Sequence, residues 1–222
     1  MTAEPGFELD LGPETAARAA AWALGRLAEP DVRRQAVLHP LGFVCFPLLR
    51  GRVTGVCVHV WLSHRAEFAP ELTTSPIHSH SWDLQSLVLF GRIGNELINV
   101  RASAAAEATH RVYEIHSAPG ADEVTPTALC VRSSLQDVRY ARAGDVYGLP
   151  GGEFHSSVVP DGLDTATVLL ASSRGGTDRA LGSVEPGHGA LRVPRRPAPE
   201  TLGRLAAQLV LDLPPAFPPI PC

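Results

Sequence analysis

The feature that most constrains this chain is a block of short β-like runs between Leu41 and Ser172. Runs rich in β-branched and aromatic residues alternate there with Gly, Pro, Asn and Asp, at the spacing of consecutive strands. About eleven such runs without an internal repeat predict an all-β domain, built as a closed or sandwiched antiparallel barrel. The predicted strands are 42–49, 53–62, 77–82, 84–90, 95–101, 110–117, 128–134, 136–142, 145–149, 154–159 and 165–172.

The segments on either side of this block have helical and loop-like patterns. Ala and Leu recur at helical spacing from Pro13 to Leu27, and Pro30 ends that run. Residues 200–213 predict a short amphipathic helix. Its predicted apolar stripe consists of Leu202, Leu205, Leu209 and Leu213.

These patterns divide the chain into three parts. We predict an N-terminal helical extension at 1–40, a barrel at 41–172, and a C-terminal part at 173–222. Within the last part, the abundance of Gly, Pro and Arg in 174–199 favours a loop around the outside of the barrel. The Pro-rich residues 214–222 predict an extended polyproline tail.

Composition excludes several functional classes. The net charge is −4 and all 19 basic residues are Arg, so no basic stripe is present to bind nucleic acid. No apolar run reaches the ~18 residues of a membrane span, and the acidic start does not resemble a secretory signal. The four cysteines have no CxxC spacing, which favours free thiols in a cytoplasmic protein.

Two segments carry the residue types of a metal site. In the first, His78 and His80 are two residues apart, so an extended strand would place both imidazoles on one face. The second ends in His155, which follows a Pro-x-Gly turn. If the two strands faced each other across the barrel, three imidazoles would meet at one cation, either Fe, Cu, Zn, Ni or Mn.

These two segments resemble the paired motifs of the cupin superfamily. The second motif is Gly, five residues, Pro-x-Gly, two residues and His, and this chain matches it in full with Gly144, Pro150, Gly152 and His155. The first motif is His-x-His, three or four residues, Glu, six residues and Gly. Here His78 and His80 match, Gln85 stands at the acidic position, and Gly91 comes one residue early.

The resemblance implies a cupin double-stranded β-helix, or jelly roll, with flanking N- and C-terminal helices. A three-His set without the Glu is similar to that of cupin dioxygenases, including thiol dioxygenases and diketone-cleaving enzymes. It therefore implies Fe(II) held by His78, His80 and His155. The cysteine that some thiol dioxygenases carry in place of the Glu is absent here.

Other residues are candidates for supporting roles. Gln85 is a weak ligand or a hydrogen-bond partner of a metal-bound water. Asp83 either replaces the missing carboxylate or forms a turn, and Glu153, two residues before His155, is a proton carrier or an orienting group. His59 is a candidate donor in the pocket. Any inward-pointing arginine among Arg101, Arg132 and Arg142 would bind a carboxylate.

The sequence thus predicts an iron-dependent oxidoreductase, a dioxygenase that uses O₂ on a small polar or anionic metabolite such as a thiol, amino acid or diketone. Two alternatives stay open. One is an isomerase, epimerase or lyase whose metal acts as a Lewis acid, and the other is a non-catalytic small-molecule-binding protein. The expected partners are the substrate, O₂ and a second copy of the chain, paired through sheet edges to form a dimer.

Overall fold

A computed structural model describes residues 13–64, 72–185 and 189–212. Its three α-helices are α1 (Pro13–Leu27), α2 (Pro30–Arg33) and α3 (Glu200–Leu211), so the predicted helices at both ends are confirmed. The predicted polyproline tail lies outside the described residues. Within the described ranges, no helix is both long enough and apolar enough to cross a bilayer.

The described residues also form fourteen strands. In chain order they are β1 (Val37–His39), β2 (Phe43–Arg50), β3 (Thr54–Trp61), β4 (His78–Ser79), β5 (Trp82–Phe90), β6 (Arg92–Ala102), β7 (His110–Ala118), β8 (Ala121–Arg142), β9 (Val146–Leu149), β10 (His155–Val158), β11 (Thr165–Ser173), β12 (Asp178–Gly182), β13 (Leu191–Pro194) and β14 (Arg196–Pro197). A short 3₁₀ helix at Ala105–Glu107 separates β6 from β7.

The strands form two antiparallel sheets. The first has the order β14-β1-β2-β3-β11-β5-β9, and the second has the order β13-β8-β6-β10-β4-β12-β7. The central part of each sheet, β3-β11-β5-β9 in the first and β8-β6-β10-β4 in the second, is built by a chain that passes repeatedly between the sheets. That strand order is a double-stranded β-helix, and it confirms the predicted fold class.

The first sheet separates two apolar layers. On its outer face, Val56, Val58 and Val60 are fully buried and pack in one cluster with alanines of α1 and α3. On its inner face, toward the second sheet, Cys57 and Trp61 pack in a different cluster. This alternation follows from the period of two in β structure, and it separates the helix-facing core from the barrel interior.

Three local predictions differ from the structure. The predicted strands 128–134 and 136–142 form one strand, β8, in which a bulge opposite Leu97 and Ile98 accommodates Gln136 without ending the strand. The segment 174–199, predicted as a loop, supplies β12, β13 and β14. The buried side of α3 contains Leu202, Ala206 and Val210, whereas Leu205 is 53 % exposed, because the helix packs closely through its small residues.

Candidate metal centre

The three predicted histidines lie together on adjacent strands of the second sheet. His155 in β10 pairs directly with His78 in β4, and His80 follows the end of β4. The ring centroids are 4.4 Å apart for His78 and His155, 4.7 Å for His78 and His80, and 5.4 Å for His80 and His155. The three rings meet without the two strands facing each other across the barrel, because β4 and β10 are neighbours in one sheet.

Two of these rings are oriented by backbone carbonyls. The Nδ1–H of His78 donates to the carbonyl of Pro76 (2.9 Å), and the Nδ1–H of His155 donates to that of Glu153 (3.1 Å). Each bond places the ring proton on Nδ1, so Nε2 carries the lone pair. One donor nitrogen from each of the three rings lies within 4.8 Å of the others. Three such nitrogens fit a transition-metal ion.

The electrostatics of the site keep these imidazoles neutral. Burial lowers the pKa of His155 to about 3, with a further contribution from the charge of His78. Burial also lowers the pKa of His78, and it lowers that of His80 well below the usual value, where the neighbouring histidines add to the effect. Only the neutral ring can bind a metal, so the site is ready to bind at neutral pH.

The centre faces the barrel interior. His155 is paired with Leu97 of β6 as well as with His78, and paired residues share a face of the sheet. Leu97 packs in one cluster with Leu84, Leu149 and Ala171. The wall beside the three imidazoles is therefore apolar.

The structure does not bring Gln85 to the histidines. Gln85 is opposite Leu170, a residue of the core beneath the helices, whereas its neighbour Leu84 faces the interior. Leu84 was not among the predicted site residues. With three residues instead of four after His80, the acidic position of the cupin motif falls on Leu84, and Gly91 then has the required spacing. That glycine was the signal for the correct alignment.

The other two predicted acidic residues have different surroundings. Asp83 accepts the N–H of Gly151 (2.8 Å) and forms an ion pair with Arg174. Although partial burial opposes ionisation, these two contacts lower the pKa of Asp83. The carboxylate thus stabilises the turn at Gly151 from a position inside β5, and Asp83 does not itself form a turn between two strands.

Glu153 lies beside the centre. Its carbonyl orients His155, and its buried Oε2 has no hydrogen-bond partner within the described part of the chain. Its carboxylate is not within the 4.8 Å group of donors formed by the histidines. Glu153 is therefore close to the centre without belonging to its ligand set.

Aromatic rings occupy the interior next to the histidines. Phe43 stacks on His39 at 4.3 Å and lies 4.5 Å from His59 and 4.8 Å from Trp61, measured between ring centroids. The N–H of Leu41 donates to Nδ1 of His39 (3.2 Å). The backbone thus holds His39 beside the centre, and burial, followed by the nearby histidines and an arginine, lowers its pKa to about 3.

The phenol of Tyr147 is a further polar group of the interior. Tyr147 packs with both interior clusters. Its hydroxyl bonds to Ser86 and Asn95, and burial raises its pKa. Tyr140 is 70 % exposed and Tyr113 bonds to the carbonyl of Ser183, so Tyr147 is the tyrosine that the structure places in the barrel interior.

A second group of metal-ligating side chains lies in the same interior. Cys45, Cys57 and His59 each offer one donor atom, and these three atoms lie within 4.8 Å of one another. The hydrogen bond between the Cys45 and Cys57 side chains lowers the pKa of Cys57 well below its usual value and raises the pKa of Cys45. His59, predicted as a pocket donor, thus belongs to a cluster with the two thiols.

The arginines considered as carboxylate ligands are Arg101, Arg132 and Arg142, and all three are exposed. His116 of β7 lies 3.8 Å from Glu114 on the surface. Neither set contributes to the barrel interior. The polar groups that face the interior include histidines, thiols and the phenol of Tyr147.

No protein-family model and no curated protein matches this chain. Solved structures with similarity include a cupin superfamily protein from Desulfitobacterium hafniense (8 % identity, 59 % of this chain and 77 % of that one, TM-score 0.33). They also include a double-stranded β-helix protein from Klebsiella pneumoniae (15 % identity, 64 % and 84 %, TM-score 0.33). A third is the polyketide cyclase RemF from Streptomyces resistomycificus (13 % identity, 67 % and 75 %, TM-score 0.35). This chain therefore has cupin superfamily proteins among its structural neighbours, while its own strand order establishes the double-stranded β-helix.

Proposed function

We propose that this protein is a metal-dependent oxidoreductase, a non-haem Fe(II) dioxygenase that uses O₂ to oxidise a small metabolite able to chelate the metal. The observation that carries this proposal is a set of three neutral imidazoles beside an apolar wall. His78, His80 and His155 would hold the ion. Leu84 stands where many cupins have a carboxylate, so none of the protein ligands carries a charge that offsets that of the cation.

This charge balance favours a particular substrate class. Three imidazoles carry no charge, so a divalent cation held by them keeps close to its full charge in a site of low dielectric. An anionic, bidentate ligand is the natural complement. Thiols with a nearby amine or carboxylate, amino acids and diketones have this chemistry.

The surrounding residues orient the reactants and exclude water. When bound, the metal supplies a redox-active Lewis acid at which substrate and O₂ can meet. Leu84, Leu97 and Leu149 form an apolar wall that keeps competing water out. The carbonyls of Pro76 and Glu153 fix the ring orientations. The buried Oε2 of Glu153 is available to take or give a proton beside the centre.

Oxygen consumption tests the proposal directly. Purified protein is loaded with Fe(II) under argon and then exposed to O₂ with a panel of thiols, amino acids and diketones. We expect uptake with at least one class, and its loss in His155→Ala but not in His116→Ala, which removes an exposed histidine. Absence of uptake with every substrate would contradict the proposal. Turnover with Zn²⁺ under argon would instead support an isomerase or lyase.

A further inference from the structure

We propose that Cys45, Cys57 and His59 form a second metal site in the barrel interior, one that binds Zn²⁺ and is separate from the three-His centre. This inference concerns a different set of ligands and does not depend on the dioxygenase proposal. It is carried by the placement of the three side chains and by their donor chemistry.

The pairing of β2 with β3 builds the site. Cys45 lies directly opposite His59 in the antiparallel ladder, so their side chains share a face. Cys57 is two residues before His59 on the same strand, and the period of two places it on that face as well. Cys45 and Cys57 both pack in the interior cluster with Phe43 and Trp61, which identifies the shared face as the inner one.

The donor distances suit a small cation. The two sulfur atoms and one ring nitrogen lie within 4.8 Å of one another. Two thiolates bound tetrahedrally to zinc at ~2.3 Å are about 3.8 Å apart. The side chains thus need to move by no more than about 1 Å to close on the ion, which is within the reach of small rotamer changes.

Charge and ligand softness separate this site from the three-His centre. Two thiolates neutralise the charge of Zn²⁺, so the complex is neutral in an interior where a net charge is costly to bury. Thiolate ligands select soft and borderline cations such as Zn²⁺, whereas imidazoles also accept Fe(II). Three protein ligands leave a fourth position for water or a small ligand, as in catalytic zinc sites.

Cys130 provides the internal comparison. It is also buried and free, but within the described chain it belongs to no group of metal-ligating side chains. A buried cysteine is ordinarily a small apolar residue, and Cys130 fits that description. Cys45 and Cys57 differ because they converge with each other and with an imidazole.

Cobalt substitution tests the second site. Metal-free protein is titrated with Co²⁺ under argon, and the near-ultraviolet thiolate-to-cobalt charge-transfer band is followed. We expect a band that saturates at one equivalent in His155→Ala, whose three-His centre is impaired, and by two equivalents in the wild-type protein. It should disappear in Cys57→Ala and remain in both His155→Ala and the matched control Cys130→Ala. Wild-type protein without the band, or a band that persists in Cys57→Ala, would overturn the proposal.

A measurement on the wild-type protein covers the case in which the cysteine variant fails to fold. X-ray absorption of protein loaded with two equivalents of Zn²⁺ should show sulfur scatterers at ~2.3 Å in addition to nitrogen at ~2.0 Å. A spectrum with nitrogen and oxygen scatterers alone would refute the site. So would a Cys45–Cys57 disulfide in protein purified with reductant, detected as two missing thiols.

Discussion

Proton release on metal binding gives a quantitative test of the three-His centre. Lowering the pH from 7.5 to 5.5 would protonate an imidazole of ordinary pKa 6.5 to about 90 %, so three such rings would release about 2.7 protons when a metal binds. Burial holds the pKa of His155 at about 3, and at pH 5.5 this ring is less than about 1 % protonated. The pKa values of His78 and His80 are lowered in the same direction. We therefore expect clearly fewer protons than the ~2.7 of three ordinary rings.

Calorimetry in buffers of different ionisation enthalpy measures this number. Fe(II) is titrated under argon at pH 5.5, and the slope of heat against buffer enthalpy gives the protons released. The titration is repeated with Cys57→Ala so that thiol protons do not contribute, and with His155→Ala, in which binding should be severely weakened. Release of two to three protons in Cys57→Ala would refute the inference that burial keeps the three rings neutral.

Four further perturbations have defined outcomes. The pKa of His155 is lowered in the folded state, so the unfolded chain binds more protons than the folded chain below pH 6.5. The free energy of unfolding of the metal-free protein should therefore fall by about 1.4 kcal/mol for each unit by which the pH is lowered between about 5.5 and 4, measured by urea denaturation. Gln85→Glu places a carboxyl in the helix-facing core and should lower the free energy of unfolding by about 2 kcal/mol or more, while the metal affinity stays unchanged. Tighter metal binding would show that this position faces the centre. Asp83→Ala should lower the free energy of unfolding by about 1–2 kcal/mol through lost turn hydrogen bonds, and metal content by elemental analysis should stay constant. Gly91→Ala adds a Cβ at φ +77° that overlaps the first residue of β11. This substitution should lower the free energy of unfolding by about 3 kcal/mol or more. Gly120→Ala, at φ +72° with open space around its Cβ, is the matched control and should cost only about 1–2 kcal/mol.

The local pattern of the chain was sufficient to predict most of the fold. Strand alternation, such as that of Val56, Val58 and Val60 against Cys57, comes from the period of two in β structure and needs no knowledge of the partner strand. The helices at both ends followed from spacing and proline punctuation in the same way. The strand β12 was missed because five residues between glycines carry little periodic signal, and its pairing with β4 and β7 is a long-range property.

The site was predicted less completely than the fold. The motif spacing identified His78, His80 and His155, but it left open whether Leu84 or Gln85 occupied the fourth position, since the spacing of the motif itself varies by one residue. In a strand, a shift of one residue reverses the face of the side chain. Only the pairing of β5 with β11 decided that Leu84 points inward and Gln85 outward. Pairing through sheet edges to form a dimer stays a prediction.

The sequence by itself determined the residue types and their periodicity, and these sufficed for a β barrel with three candidate imidazole ligands. The tertiary structure decided which residues meet. It made β4 and β10 neighbours in one sheet and set His59 opposite Cys45. It also moved the fourth ligand position from a glutamine to a leucine. The physical reason is that strand register joins residues far apart in the chain, and local sequence does not encode that register.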